Sequence, residues 1–408
     1  MIDSADVVVV GAGAFGASVA WHLVRSTELR VAVLDKGEPV AQTTPRAAGL
    51  SSCVQPTSFL RRMATSSVTA IKRFEEETGE SLPFHQTGSL KIARSEAHAE
   101  RLRREVAAAQ AAEVEVSLVN TGDVHDLSTF IETDPIVAAS YTPADLYFDP
   151  PELPQAYLRA AQRQGASVLP QTRVTGIRLH RGAVKAVETD RGDIRTPIVV
   201  DTAGAWSALV GDMARLRVPV VPTRHQLFIT EAISNFPASH PIVRLMDVTV
   251  YIRPCDDGVM LGGYEPIPAM FDTHTLGTDF DVANLELDFS TLQDMVDQVV
   301  DVMPLFSSFD VRIHRGGLPT MTADGNPVLG PLPDIEGFYI LSGCCVGGLA
   351  KSPAMGKSLA RWIINGHPDA GLEPAMPGRF AGHFAHANEL IDACRWQYAH
   401  HYDKAERK

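Results

Sequence analysis

The chain opens with a pattern of apolar strands and small-residue turns that predicts a nucleotide-binding βαβ unit. Val7 to Val10 form a continuous β-branched run, as expected for a strand buried on both faces of a parallel sheet. The turn GAGAFG (11–16) follows, and apolar residues then recur at helical spacing as far as Val24. A second apolar strand, Val31 to Leu34, ends on Asp35. This order is typical of a dinucleotide site.

Each part of this unit has a separable physical role. Gly11 permits the tight turn, Gly13 lets the backbone approach a pyrophosphate, and Gly16 lets helix and strand pack closely. The helix N-terminus presents free N–H groups to the phosphates, and Asp35 can accept hydrogen bonds from an adenosine ribose. The motif alone does not choose between NAD and FAD, and a tight βα turn without a ligand shows the same pattern.

The remaining pattern predicts a second unit and a return to the first. Periodicity favours helices over 61–80, 95–112 and 150–165, the first two of them solvated. Short strands follow between 167 and 200, ending in the small-residue turn DTAGAWS (201–207). From about 218 to 309 the strands alternate apolar and polar residues, which favours an antiparallel sheet with one face in a pocket. The strand GFYILSG, the loop CCVGGLAKSPAMG and a helix then repeat the nucleotide-binding order.

Composition narrows the class of protein. The 408 residues exceed what one core usually holds and predict two domains, and 45% hydrophobic with 21% charged residues is typical of a soluble globular protein. A net charge of −13 argues against a nucleic-acid partner. The 5 cysteines are scattered and the histidines near the C-terminus irregular, so we expect no metal site. The N-terminus has neither a signal sequence nor an apolar span, which predicts a cytoplasmic protein without membrane contact.

Four stretches together resemble one family. GAGAFG with Asp35, VVDTAGAWS, HRGGLPTMTADGNPVLGP and GFYILSGCCVGGLAKSPAMG are similar to the FAD-dependent amine oxidoreductases of the D-amino-acid oxidase and glycine oxidase superfamily. RHQLFITE and VYIRPCDDGVMLGGYEP resemble most the branch of sarcosine and dimethylglycine dehydrogenases and the sarcosine oxidase β subunit.

The resemblance implies an α/β fold with a Rossmann-type (GR2-like) FAD-binding domain and an α+β substrate domain built on an antiparallel sheet. We assign 1–85, 145–217 and 312–367 to the FAD domain, 86–144 and 218–311 to the substrate domain, and 368–408 to a C-terminal helical segment. The implied cofactor residues are Gly11, Gly13, Ala14, Phe15, Gly16, Asp35, Lys36, Thr43, Arg46, Ala48, Gly49, Leu50, Val174, Ala203, Gly204, Trp206, Gly317, Gly343, Val346, Gly347, Gly348, Leu349 and Ala350.

The chain departs from this branch at the flavin anchor. Dimethylglycine and sarcosine dehydrogenases carry a covalently flavinylated histidine where this chain has Arg46 in TTPRAAGLS. We therefore expect non-covalent FAD. Arg46 can contact flavin, contact a substrate carboxylate, or remain a solvated loop residue. Cys344 and Cys345 fall in the flavin-facing loop, where paired small apolar residues or a redox pair both fit.

The substrate side follows the same resemblance. Tyr251, Glu265 and His225 are the candidate catalytic residues, although all three also suit ordinary strand positions. Arg46, Lys351 and Tyr264 are the candidate substrate-binding residues, with Lys351 one position beyond the family's lysine. Leu261 stands where related oxidases carry a lysine linked to oxygen activation, which favours a dehydrogenase over an oxidase.

The resemblance implies oxidation of a C–N bond in a small N-methylated amino acid or related amine, by hydride transfer to flavin. The iminium product hydrolyses to the demethylated amine and formaldehyde, and because no folate-binding extension follows, we expect free formaldehyde. Alternatives are a D-amino-acid or hydroxyproline-type dehydrogenase and a non-catalytic, FAD-binding regulatory protein. Oxygen or an electron-transfer protein is the acceptor, and an oligomer is compatible with the sequence.

Overall fold

The computed structural model describes residues 2–384 and 386–402. In chain order the strands are β1 (Val7–Val10), β2 (Val31–Leu34), β3 (Leu50–Ser51), β4 (Ser89–Ala93), β5 (Ser117–Val119), β6 (Ala138–Thr142), β7 (Leu146–Tyr147), β8 (Ser167–Leu169), β9 (Val174–His180), β10 (Ala183–Thr189), β11 (Ile194–Arg195), β12 (Ile198–Asp201), β13 (Val221–Pro222), β14 (His225–Thr230), β15 (Ile242–Leu245), β16 (Val250–Cys255), β17 (Gly258–Gly263), β18 (Val311–Gly317), β19 (Thr320–Met321), β20 (Val328–Pro331) and β21 (Phe338–Ser342). The α-helices are α1 (Ala14–Ser26), α2 (Ser58–Lys72), α3 (Phe74–Thr78), α4 (Glu96–Gln110), α5 (Thr121–Leu127), α6 (Glu152–Arg163), α7 (Ser207–Met213), α8 (Thr273–Leu276), α9 (Phe289–Asp297), α10 (Gly348–Asn365) and α11 (Ala387–Ala399).

A six-stranded sheet in the order β20-β21-β12-β1-β2-β8 forms the predicted nucleotide-binding unit. Its strands are parallel except for β20, which pairs antiparallel with β21. Val7 and Val9 face a core shared with α1, α6 and α10, whereas Val8 and Val10 face a core shared with the small sheet of β9, β10 and β11. Burial on both faces explains why β1 is apolar throughout.

An eight-stranded sheet in the order β18-β14-β17-β16-β15-β4-β6-β5 forms the second layer. Its pairs are antiparallel except for β15 with β4. Side chains alternate between two faces, so Val250 and Ile252 enter a core that includes residues of α9, while Tyr251 on the same strand lines a cavity. The mixed α/β fold, with a Rossmann-type unit beside an α+β unit on a largely antiparallel sheet, is confirmed.

The structure departs from the predicted boundaries and exposure at three places. Strand β18 belongs to the eight-stranded sheet, although most of its residues were assigned to the FAD domain. Helix α2 was predicted to be solvated, yet it buries Phe59, Leu60 and Met63 in the core that also contains α10 residues. The C-terminal helix α11 buries Tyr398 completely, so it is an integral part of the fold, while residues 403–408 of its predicted segment lie outside the described residues.

No helix within the described ranges is both long and apolar enough to cross a lipid bilayer.

Asp201 generates a testable prediction for the central sheet. Its carboxylate ends β12, accepts hydrogen bonds from the Ala203 N–H at 2.9 Å and the Ser207 hydroxyl at 3.1 Å, and is fully buried. Burial raises the pKa of Asp201 from 3.8 to about 7. The folded state therefore holds a proton that the unfolded state has released, and stability from this group is lost as the pH rises from about 4 through about 7.

Asp201→Asn keeps a neutral acceptor at this position. We expect its stability relative to wild type to increase between pH 4 and pH 8, by on the order of 4 kcal/mol. Thermal melting of both proteins across this pH range measures the difference. Melting temperatures that stay parallel over the whole range would contradict the prediction.

Candidate active site

A cavity of about 360 Å³ runs from the glycine turn after β1 to the inner face of the eight-stranded sheet. The cofactor residues predicted from sequence line it with two exceptions. Gly16 lies behind the turn, where a Cβ would collide with the Gly11 carbonyl, and Gly343 packs against Thr322. Neither glycine faces the cavity. Through backbone packing, both support the cofactor-facing end of the cavity, which we call the cradle.

In the turn after β1, the backbone at Gly11 lies unusually close to the backbone at Thr202. Gly11 has φ +102°, and a Cβ there would lie 2.7 Å from the Thr202 carbonyl oxygen. The Thr202 hydroxyl donates to the carbonyls of Val10 and Gly11, each at 2.9 Å, and fixes β12 against the turn. The N-terminus of α1 is thereby held at the cavity wall, where its free N–H groups suit a pyrophosphate.

Asp35 closes the cradle at the end of β2. Its two carboxylate oxygens accept the Ala12 and Gly37 N–H groups at 2.9 Å each, which orients the side chain while leaving lone pairs for ribose hydroxyls. Burial raises the pKa of Asp35, and these two hydrogen bonds oppose that rise.

Lys36 and Trp206 line the same end, but both also hold a neighbouring segment. The Lys36 ammonium donates to the carbonyls of Thr278 and Phe280, each at 2.8 Å, and lies 3.6 Å from the centre of the Trp206 ring. The Trp206 indole N–H donates to the Gly277 carbonyl at 3.0 Å. Burial lowers the pKa of Lys36 to about 8. These residues shape the cofactor cleft by fixing its rim.

The loop of residues 41–51 forms one wall of the cavity. Arg46 lines this wall, and its guanidinium donates to the carbonyls of Gln42 and Ala41, the latter at 2.7 Å. Two arginines that the sequence reading missed hold the loop from the eight-stranded sheet, Arg315 through the Ala47 carbonyl and Arg253 through the Ala48 carbonyl.

The C-terminal glycine loop forms the opposite wall. Cys345 and Val346 have φ values of 45° and 63°, which is unusual for a valine and marks a tightly constrained turn. The Cys345 N–H donates to the Thr320 carbonyl at 2.8 Å, and the ammonium of Lys351 packs where a Gly347 side chain would lie. Burial raises the pKa of Cys344, so its thiol is neutral and unsuited to nucleophilic chemistry.

At the other end of the cavity, His225 bridges two tyrosines. Its Nε2 lies 2.9 Å from the Tyr251 hydroxyl and its Nδ1 lies 2.7 Å from the Tyr398 hydroxyl. Burial lowers the pKa of His225 to about 3, so the ring is neutral at physiological pH and one tyrosine must donate while the other accepts. The predicted residues Tyr251 and His225 thus meet at the cavity, and Tyr398 from α11 was not foreseen.

Arg244 is the principal cavity residue that sequence reasoning missed. It lies on β15 opposite Tyr251, and the cavity wall around it includes Tyr264 and Tyr402. Burial would lower the pKa of Arg244, but Tyr402 and Asp145 outweigh this and raise it, so the guanidinium stays charged. The signal available in the sequence was an arginine interrupting the apolar run Ile242 to Met246.

Glu265 lies outside the cavity, which corrects its predicted catalytic role. Its carboxylate accepts from Arg224 at 2.9 and 3.0 Å and from Gln226 at 3.0 Å, and only 1% of the residue is exposed. Strand alternation explains the error, because Tyr264 faces the cavity and the next residue faces away. Leu261 likewise enters the core behind the sheet and is not part of the cavity lining.

Comparison with known proteins identifies the family. Residues 6–362 match the model of the DAO family, described as FAD dependent oxidoreductase. The chain belongs to this family. FAD is therefore the cofactor, and the glycine cradle with Asp35 fits its pyrophosphate and ribose.

Curated relatives extend over nearly the whole chain. Dimethylglycine dehydrogenase of Mus musculus is 28% identical over 386 residues, covering 93% of this chain and 44% of the relative. Sarcosine dehydrogenase of Homo sapiens is 29% identical over 97% of this chain and 43% of the relative. The pyruvate dehydrogenase phosphatase regulatory subunit of Mus musculus is 26% identical, with coverages of 89% and 42%. The chain thus spans less than half the length of these relatives.

Solved structures share the fold. L-Proline dehydrogenase from P. horikoshii superposes with a TM-score of 0.84 at 24% identity, covering 93% of this chain and 99% of that one. Glycine oxidase from Geobacillus kaustophilus gives 0.79 at 23% identity, with coverages of 92% and 99%.

We predict that FAD is bound without a covalent link. Arg46 occupies the position of the flavinylated histidine in the resembling branch, and a guanidinium does not form that bond. Precipitation with trichloroacetic acid should release all the yellow colour into the supernatant, measured by its flavin absorbance. A coloured pellet would show that another residue forms a bond to the flavin.

Arg46→Ala should weaken FAD binding without affecting substrate affinity. The guanidinium holds the backbone of its own loop, so its loss should raise the FAD dissociation constant about fivefold, equivalent to about 1 kcal/mol. Fluorescence titration of apoprotein with FAD measures this value. Arg312→Ala, on the far end of β18 and paired with Asp257, is the matched control. A selective increase in substrate KM would instead place Arg46 on the substrate.

Proposed function

We propose that this protein oxidises the C–N bond of a small N-methylated amino acid and releases formaldehyde. The observation that carries the proposal is the end of the cavity opposite the cofactor cradle. A charged, half-buried arginine, two tyrosines and a neutral histidine line that end of the cavity.

The two ends of such a substrate suit different parts of this space. Arg244 offers a charged donor for a carboxylate, in surroundings where burial strengthens the interaction. The ring of Tyr251 offers a π face for an alkylammonium group. A substrate with a carboxylate and a methylated amine within a few bonds of each other fits both.

The protein orients the substrate and controls its protons, while FAD, when bound, supplies the capacity to accept a hydride from the carbon beside the amine. His225 is a weak base because of its low pKa, so it orients Tyr251 through the 2.9 Å contact and does not act as proton acceptor. The Tyr251 oxygen would accept a hydrogen bond from the substrate amine. Burial raises the pKa of Tyr251, which keeps its hydroxyl protonated.

The names of the relatives support an N-methyl substrate. Dimethylglycine and sarcosine both carry an N-methyl group next to a carboxylate, and a further relative, from Paenarthrobacter nicotinovorans, is described as 4-methylaminobutanoate oxidase (formaldehyde-forming), at 23% identity. Loss of a hydride from the N-methyl carbon would give an N-methylene iminium, and addition of water followed by cleavage of the C–N bond would release formaldehyde and the demethylated amine.

A regulatory role is the second candidate. One similar protein, from Mus musculus, is named as a regulatory subunit, the pyruvate dehydrogenase phosphatase regulatory subunit. A protein of this kind would bind FAD, and no amine would reduce it.

Anaerobic flavin reduction tests these candidates. The holoprotein is mixed with sarcosine, dimethylglycine, N-methylalanine, glycine, proline, hydroxyproline, D-alanine and N,N-dimethylethylamine, and the flavin absorbance is followed. We expect the N-methyl amino acids to bleach the flavin with release of formaldehyde. N,N-Dimethylethylamine should react at least about tenfold more weakly, because it lacks the carboxylate that Arg244 would bind.

The outcomes separate the alternatives. Bleaching by proline, hydroxyproline or D-alanine without formaldehyde would replace N-demethylation with an amino acid dehydrogenase. No bleaching by any amine would favour the regulatory candidate. Admission of air to the reduced protein distinguishes the acceptors, since rapid return of the absorbance indicates oxygen and slow return indicates an electron-transfer protein.

A further inference from the structure

The C-terminal helix α11 and the residues that follow it contribute side chains to the cavity wall, at the end away from the cofactor cradle. Leu390 and Cys394 pack with Val221 and Met321, which seats the helix against β13 and β19. Tyr398 then reaches His225, and the chain continues past the helix so that His401 and Tyr402 line the cavity. We call residues 400–402 the C-terminal segment.

The C-terminal segment is held by aromatic contacts at the substrate end. The His401 ring stacks on Tyr264 with ring centres 3.8 Å apart and planes at 10°, and its Nε2 lies 2.9 Å from the Tyr264 hydroxyl. The Lys91 ammonium lies 5.1 Å from the centre of the Tyr402 ring. These contacts place Tyr402 in the wall beside Arg244.

Two buried polar atoms in this wall can still donate a hydrogen bond to a ligand. Among the described residues, the Nε of Arg244 and the hydroxyl of Tyr402 make no well-aligned hydrogen bond and are shielded from solvent, although Tyr402 lies close enough to Arg244 to raise its pKa. A buried donor without a partner is energetically unfavourable, so a site that retains two of them is suited to a ligand that accepts from both. A carboxylate is an acceptor with two oxygens and a charge opposite to that of Arg244.

We propose that Tyr402 is a specificity-determining residue that donates its hydroxyl hydrogen bond to the carboxylate bound by Arg244. The C-terminal segment thereby completes the substrate pocket, and the Tyr402 ring limits the size of the acid. This inference rests on the proposed function only in taking a small carboxylate as the ligand.

Ligand binding to the oxidised holoprotein tests the inference without turnover. Propanoate is titrated against the flavin absorption spectrum, and propanamide serves as the neutral ligand of the same shape. Tyr402→Phe should raise the propanoate dissociation constant about tenfold and leave the weak response to propanamide unchanged. Tyr339→Phe, on β21 and outside the cavity lining, is the matched control and should behave as wild type.

A second variant tests the ring. Tyr402→Ala should weaken propanoate binding while improving the relative affinity for 3-phenylpropanoate, because removal of the ring enlarges the pocket. Equal propanoate affinity in wild type and Tyr402→Phe, or no propanoate binding to wild type, would overturn the inference. FAD content of each variant, measured by absorbance, shows that the cofactor cradle is intact.

The result is separable from that of the proposed function. If no amine bleaches the flavin but propanoate binding still depends on Tyr402, the proposed reaction is wrong and the carboxylate site stands. If N-methyl amino acids bleach wild type and Tyr402→Phe with the same KM, the reaction stands and the role of Tyr402 is wrong.

Discussion

The attachment of residues 41–51 to both sheets is the constraint on which the cavity depends. Arg253 and Arg315 reach from the eight-stranded sheet to the carbonyls of Ala48 and Ala47, while the 3₁₀ turn Thr44–Arg46 lies beside the glycine turn of the cofactor sheet. Carbonyl oxygens give the buried Arg253 and the half-buried Arg315 their hydrogen-bond acceptors. Because one stretch of backbone is held from both sides, the cofactor cradle and the substrate end form a single space.

The loop is also held from within by Arg46. Arg46 uses its donors on the carbonyls of Ala41 and Gln42, so the side chain stabilises the loop to which it belongs. The loop remains a wall of the cavity, and its position is set by hydrogen bonds to backbone carbonyls.

The two ends of the cavity are lined by residues of different size and polarity. The cradle is built from backbone and small residues, which suits close approach of a dinucleotide. The proposed substrate end is built from long side chains, with His225 kept neutral by burial and Arg244 kept charged by Tyr402 and Asp145. A substrate that carries one anionic and one cationic group would find complementary partners there, and α11 links this end to the C-terminal part of the fold.

The sequence by itself determined the cofactor half of this protein. The βαβ unit, Asp35 and the C-terminal glycine loop were predicted because their chemistry depends on local backbone geometry, which residue type and spacing encode directly. Which residues line the proposed substrate end of the cavity could be identified only from the tertiary structure. Whether Tyr264 or Glu265 faces the cavity depends on strand register, and Arg244, Tyr398 and Tyr402 meet His225 and Tyr251 only because sheet pairing and helix packing join segments far apart in the chain.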